Sequence, residues 1–71
     1  MLTFMRRRRV GNQFELEFSY GDQTLIAHLA ATGPLVFRNQ GVPELATSEL
    51  VAWADEPANV LRLNGLQAAL Q

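Results

Sequence analysis

Residues 14–31 read FELEFSYGDQTLIAHLAA, and the way this stretch sorts its side chains decides the fold. Phe14, Leu16, Phe18 and Tyr20 alternate with Glu15, Glu17 and Ser19, the two-residue period of a strand with one buried face. Gly21-Asp22 supplies a two-residue turn. With Tyr20 facing Gln23, the ladder continues through Phe18–Leu25, Leu16–Ala27 and Phe14–Leu29 on one face. Ser19–Thr24, Glu17–Ile26 and Glu15–His28 then share the other. A single register sorts both faces, and a slip by one residue would invert every side chain.

Working upstream, residues 2–9 are expected to form the preceding strand, returning through Gly11-Asn12. A two-residue loop sets Val10 opposite Gln13, Arg8 opposite Glu15 and Arg6 opposite Glu17. A three-residue loop instead sets Arg9 opposite Glu15 and Arg7 opposite Glu17. In both registers two arginines of the run Arg6–Arg9 oppose two glutamates, each pair contributing about 0.2–1 kcal/mol. The other two arginines fall on the apolar face or its rim, where their stems cover hydrophobic surface and their heads reach water or a partner.

Downstream, Thr32-Gly33-Pro34 leads into Leu35-Val36-Phe37, a short strand or extended connection, and Asn39–Pro43 is a loop. Residues 44–55 read as a helix, with Pro43 suited to its start and Ala46, Leu50, Trp53 and Ala54 on one stripe. Trp53 on that stripe is expected in the core, and Asp55-Glu56-Pro57 ends the helix. Two readings remain for the tail. Val60–Leu63, Asn64-Gly65 and Leu66–Leu70 fit a hairpin, while Leu, Gln and Ala favour helix after a lone strand. A strand at 59–63 is the preferred reading, with 64–71 open between strand and helix.

The chain has 71 residues and no cysteine, so it forms one domain, 1–71, without disulfides or thiolate metal sites. A chain this short gains burial from a partner, and a second copy of itself is one candidate. The formal net charge is −1, far from the basic balance of a typical phosphate-binding domain. No continuous apolar stretch resembles a secretion signal or a membrane span, so a soluble cytoplasmic protein is expected.

Catalytic chemistry is sparse. His28 is the single histidine, and no serine or cysteine faces it in any register above. A cross-strand partnership with Glu15 accounts for it better than a general base does. The five glycines stand singly, without a phosphate loop or dinucleotide fingerprint. Neither an enzyme nor a cofactor or metal site is expected.

Two resemblances frame the alternatives. Met1-Leu2 followed by Arg8-Arg9-Val10-Gly11 is similar to the start of the carbon-storage-regulator family of small dimeric RNA-binding proteins. In that family the basic first strand and a later arginine bind RNA. The likeness spans residues 1–11; the arginine pair is displaced, and the family's Gly-Asn-Gln-Val-Arg strand and Val-His-Arg-Glu-Glu end are absent. A β-meander leading into Thr47-Ser48-Glu49-Leu50-Val51-Ala52-Trp53 looks like several tiny phage inhibitors, including some anti-CRISPR proteins, a pattern that is generic.

The expectation is an α+β domain: an antiparallel meander of three to four strands, one helix packed on one face, and a short C-terminal strand or turn. Its expected role is protein binding, as a small bacterial or phage regulator or inhibitor that blocks a surface of a larger complex. RNA or DNA binding through Arg6–Arg9 is the alternative, and a structural subunit assembling through strand edges is a third. The residues expected to meet a partner are Arg6, Arg7, Arg8, Arg9, Phe37 and Arg38.

Overall fold

The hairpin forms in the register that the alternation predicts. β2 (Gln13–Tyr20) and β3 (Gln23–Leu29) pair antiparallel, with Phe14, Leu16, Phe18 and Tyr20 opposite Leu29, Ala27, Leu25 and Gln23. The computed structural model describes all 71 residues. Gly11 and Gly21 have φ of 60° and 61°, and no other residue type has positive φ. Positive φ at the first central position alone is the type II′ pattern, whose twist suits a two-residue hairpin.

β1 (Leu2–Val10) pairs with β2 through Val10–Gln13, Arg8–Glu15 and Arg6–Glu17, the two-residue-loop alternative. The ladder then slips, so that Phe4 faces Phe18 and Leu2 faces Tyr20. Met5 is the extra residue of this β-bulge. Without the slip Phe4 would lie opposite Ser19, on the glutamate side. The bulge returns Leu2 and Phe4 to the apolar face while Arg6 and Arg8 keep the other. Sequence alternation alone could not reveal it, because an arginine run carries no in–out pattern.

β4 (Val36–Phe37) adds to β3 with Phe37 opposite Ala27 and Val36 opposite His28. The sheet is four-stranded, in the order β1-β2-β3-β4. α1 (Glu44–Asp55) occupies the predicted residues and buries Ala46 and Leu50. Leu16, Phe18, Ala27 and Leu29 are almost fully buried beneath the helices. Trp53 stacks edge-on to Phe18 at 5.0 Å and lies 5.6 Å from Phe4. It belongs to the core, as its helical spacing predicts.

The C-terminal segment corrects the sequence reading. Instead of a strand at 59–63, Pro57–Ala69 form a second helix, α2, so two helices rather than one pack on the sheet. Glu56 is extended ahead of Pro57 at the first helical turn, the conformation that a following proline imposes and a helix start accepts. Asn59 is buried and its amide donates to the Trp53 carbonyl at 2.9 Å, tying the start of α2 to the end of α1. As a helix the segment packs Leu63, Leu66 and Leu70 against the core. A strand would place only Leu61 and Leu63 on one face. That gain outweighs the cost of about 1 kcal/mol for Gly65 within a helix.

Candidate binding edge

The arginine run divides by face. On the sheet face away from the helices, Arg6 donates through Nε to Glu17 Oε1 at 3.2 Å, and Arg8 Nη2 reaches Glu15 Oε1 at 2.9 Å. Arg38 pairs with the other oxygen of Glu15, so two guanidiniums share one carboxylate. The Glu15 side chain is 12% exposed while that of Arg8 is 74% exposed. The arginines therefore form the outer surface and shield the acids. This face is a paired ladder of three guanidiniums on two carboxylates.

Arg7 and Arg9 lie on the other face, opposite Leu16 and Phe14. Arg9 has no carboxylate partner. Its Nε donates to the Gly11 carbonyl at 3.1 Å and its Nη1 to the Ala69 carbonyl at 3.4 Å, and its guanidinium lies 5.9 Å from the Phe14 ring. A cation beside the last carbonyls of α2 is favourably placed against the helix dipole. Arg7 joins no ion pair or side-chain hydrogen bond; it is exposed at the rim of a cleft shared with Phe4, Leu61, Arg62, Gly65 and Leu66. The Arg62 guanidinium covers the Phe4 ring at 4.8 Å, a cation–π contact.

The backbone of β1 faces outward at the same residues. In a two-residue hairpin the pair flanking the turn is hydrogen-bonded, and the bonded and non-bonded pairs then alternate. For β2–β3 this rule turns Ile26 away from β2. Accordingly Arg38 N–H donates to the Ile26 carbonyl at 2.7 Å, and Ile26 N–H donates to Asn39 Oδ1 at 2.6 Å. For β1 the rule points Arg8 and Arg6 toward β2, and Arg9 and Arg7 away from the sheet. Past the bulge Leu2 also faces outward, and its N–H donates to Glu49 Oε1 at 2.9 Å. No such partner meets the outward groups of Arg7 and Arg9.

The structure thus gathers Arg6, Arg8 and Arg38 on one face and Arg7 and Arg9 on the other. Phe37, next to Arg38 in the chain, lies on the helix side, at the edge opposite to that of Arg7 and Arg9. It turns inward, half-buried, and meets the Phe18 ring edge-on at 6.2 Å, so it packs on the core rather than presenting a contact surface. The loop after it is anchored by Asn39 and by Val42, which packs on the core. Leu61, Arg62 and Gly65 were absent from the sequence expectation, because a strand at 59–63 gives no reason to bring them beside β1. Recognising α2 would have done so.

His28 stands opposite Glu15 and Val36, as the ladder predicts. No group of three or more His, Cys, Asp or Glu side chains converges at metal-binding distance. No helix is long and apolar enough to cross a membrane. Compared with known proteins, the chain matches no family model, no curated protein and no solved structure at a significant level.

Proposed function

We propose that this chain is a small non-enzymatic protein-binding regulator or inhibitor, of the bacterial or phage kind that blocks a surface of a larger complex. Its binding element is the free edge of β1. The observation that carries this reading is a strand of nine residues paired on one side only, with a single outward N–H, that of Leu2, capped by a side chain. Such an edge is a template for strand addition from another chain. The opposite edge, β4, has two residues and offers little length for pairing.

Nucleic-acid binding is the second reading, supported by the three arginines without carboxylate partners, Arg7, Arg9 and Arg62. It has less support. Three guanidiniums neutralise few phosphates, and Phe4, the aromatic among them, is already covered by Arg62 and Trp53. Self-assembly through β1 would bring one arginine run against another, a like-charge arrangement that disfavours pairing.

An edge proline tests the reading. Arg7→Pro removes an N–H that β2 does not use, and edge strands tolerate proline at such positions. Affinity purification from the cells that express the protein is expected to recover one stoichiometric protein complex that survives nuclease and is lost with Arg7→Pro. Recovery of nucleic acid alone, abolished by nuclease, would overturn it.

A further inference from the structure

We propose that β1 and α2 together form a groove for an extended protein segment bearing two carboxylates at alternate positions, with an apolar side chain at the cleft end. This rests on the edge-binding reading above and specifies the chemistry of the segment. β1 already holds one such ladder. On its β2 side, Arg6 and Arg8 engage Glu17 and Glu15, carboxylates two residues apart on a strand, at 3.2 and 2.9 Å. On its free side Arg7 and Arg9 repeat the same spacing on the opposite face, without carboxylates. An added strand whose acids faced the helix side would complete a second ladder by the same cross-strand geometry.

The chain itself supplies no acid for this position. Of its seven acids, Glu15 and Glu17 are engaged on the far face and Asp22 sits in the β2–β3 turn. Glu44, Glu49 and Asp55 belong to α1, Glu56 follows it, and the contact made by Glu49 to β1 is with Leu2. Arg62, exposed on α2 and lying over the Phe4 ring, adds a third cation beside the groove. A positive strip bordered by open backbone donors selects an acidic segment over a neutral or basic one.

The apolar requirement comes from the cleft between β1 and α2. Leu61, 74% exposed at its mouth, and Leu66 give it apolar surface, with the edge of Phe4 left beside the Arg62 and Trp53 that cover the ring. Gly65 lines the cleft as well, and a Cβ built there meets no atom within 4 Å. The missing side chain leaves room for a residue of the incoming segment, and covering Leu61 adds to its binding. Arg7 stands beside this cleft and Arg9 beyond it, which sets the order: apolar side chain, then acid, then acid along β1.

The test uses the synthetic peptide Thr-Leu-Thr-Glu-Thr-Glu-Thr, its reversed sequence, and counterparts with Gln or Lys in place of Glu. Binding is read from amide shifts of the isotope-labelled protein and from fluorescence anisotropy. At least one of the two Glu peptides is expected to shift the Phe4, Arg7 and Arg9 amides and to bind about tenfold tighter than its Gln counterpart, a difference of about 1.4 kcal/mol. Arg7→Glu combined with Arg9→Glu is expected to transfer the preference to the Lys peptide. Gly65→Leu, which fills the cleft and leaves both arginines in the sequence, is expected to weaken binding while circular dichroism stays unchanged.

Equal binding of Glu and Gln peptides, lost in Arg7→Pro, would overturn the charge selection and leave the edge reading standing. Failure of every peptide to shift β1 would overturn both. Tighter binding of oligouridylate, displacing the Glu peptide from the same amides, would assign the strip to nucleic acid and overturn the proposal.

Discussion

The Glu49 carboxylate accepts a hydrogen bond from the backbone N–H of Leu2 at 2.9 Å, joining α1 to the outward edge of β1 across the interior face of the sheet. A charged acceptor on an otherwise open strand end both fixes the helix and terminates the edge. Glu49→Ala is expected to lower stability by about 1.5–3 kcal/mol, the range for a hydrogen bond to a charged group. Urea unfolding of the two proteins measures it. An unchanged midpoint would mean that the contact adds nothing to the fold.

The same carboxylate reaches Tyr20. Partial burial raises the phenol's pKa above its ordinary 10.0, and the nearby negative charge of Glu49 raises it further. A pKa raised on folding means that the native state favours the protonated phenol. This contribution to stability is complete below pH 10 and is lost as pH rises through the folded pKa. Thermal unfolding followed from pH 8 to pH 11 is expected to show a fall at the alkaline end, smaller in Tyr20→Phe. Parallel curves for the two proteins would contradict it.

Glu15, held by Arg8 and Arg38, carries a different expectation. The arginines are 74% and 51% exposed, the shared glutamate 12%. Removing one exposed guanidinium leaves the other in place, so Arg8→Ala and Arg38→Ala are each expected to cost less than about 1 kcal/mol. Glu15→Gln leaves two cations facing each other and is expected to cost more than either. A double-mutant cycle over these positions reads the coupling, and 1 M salt is expected to reduce it. Strict additivity would show that the three charges act independently.

How much of this fold the sequence declares depends on whether a segment alternates. The β2–β3 register follows from Phe14 to Leu29 because each residue votes for a face and all votes agree. β1 votes only at Leu2 and Phe4, since Arg6–Arg9 can stand on either face with their heads in water. Hence the sequence leaves two registers open near the turn, of which the two-residue loop forms, and gives no sign of the Met5 bulge. α2 was obscured for the opposite reason. Val60–Leu63 alternates over too few residues to distinguish strand from helix, and Asn64-Gly65 imitates a hairpin turn. The decisive residues were Pro57 and Asn59, which act through the chain before them and the corner beside them. That two arginines of the run oppose glutamates follows from the alternation of β2, while which two depends on the turn length. The meeting of the other two with Arg62 required α2.

Because the bulge compensates for a one-residue mismatch, its removal has an unusual consequence. Deleting Met5 brings Phe4 next to Arg6, and the Phe4–Phe18 and Arg6–Glu17 pairs then follow without a slip. Met5 is exposed, so its side chain contributes little burial. The deletion is expected to change stability by less than about 1 kcal/mol while straightening the edge and losing the bulge's local twist. Deleting Leu16 instead removes a fully buried side chain and reverses the facing of one half of β2, which is expected to abolish folding. Urea denaturation and amide exchange of both deletions provide the comparison. Equal loss of structure would show that the Met5 bulge stabilises the sheet directly rather than reconciling two registers.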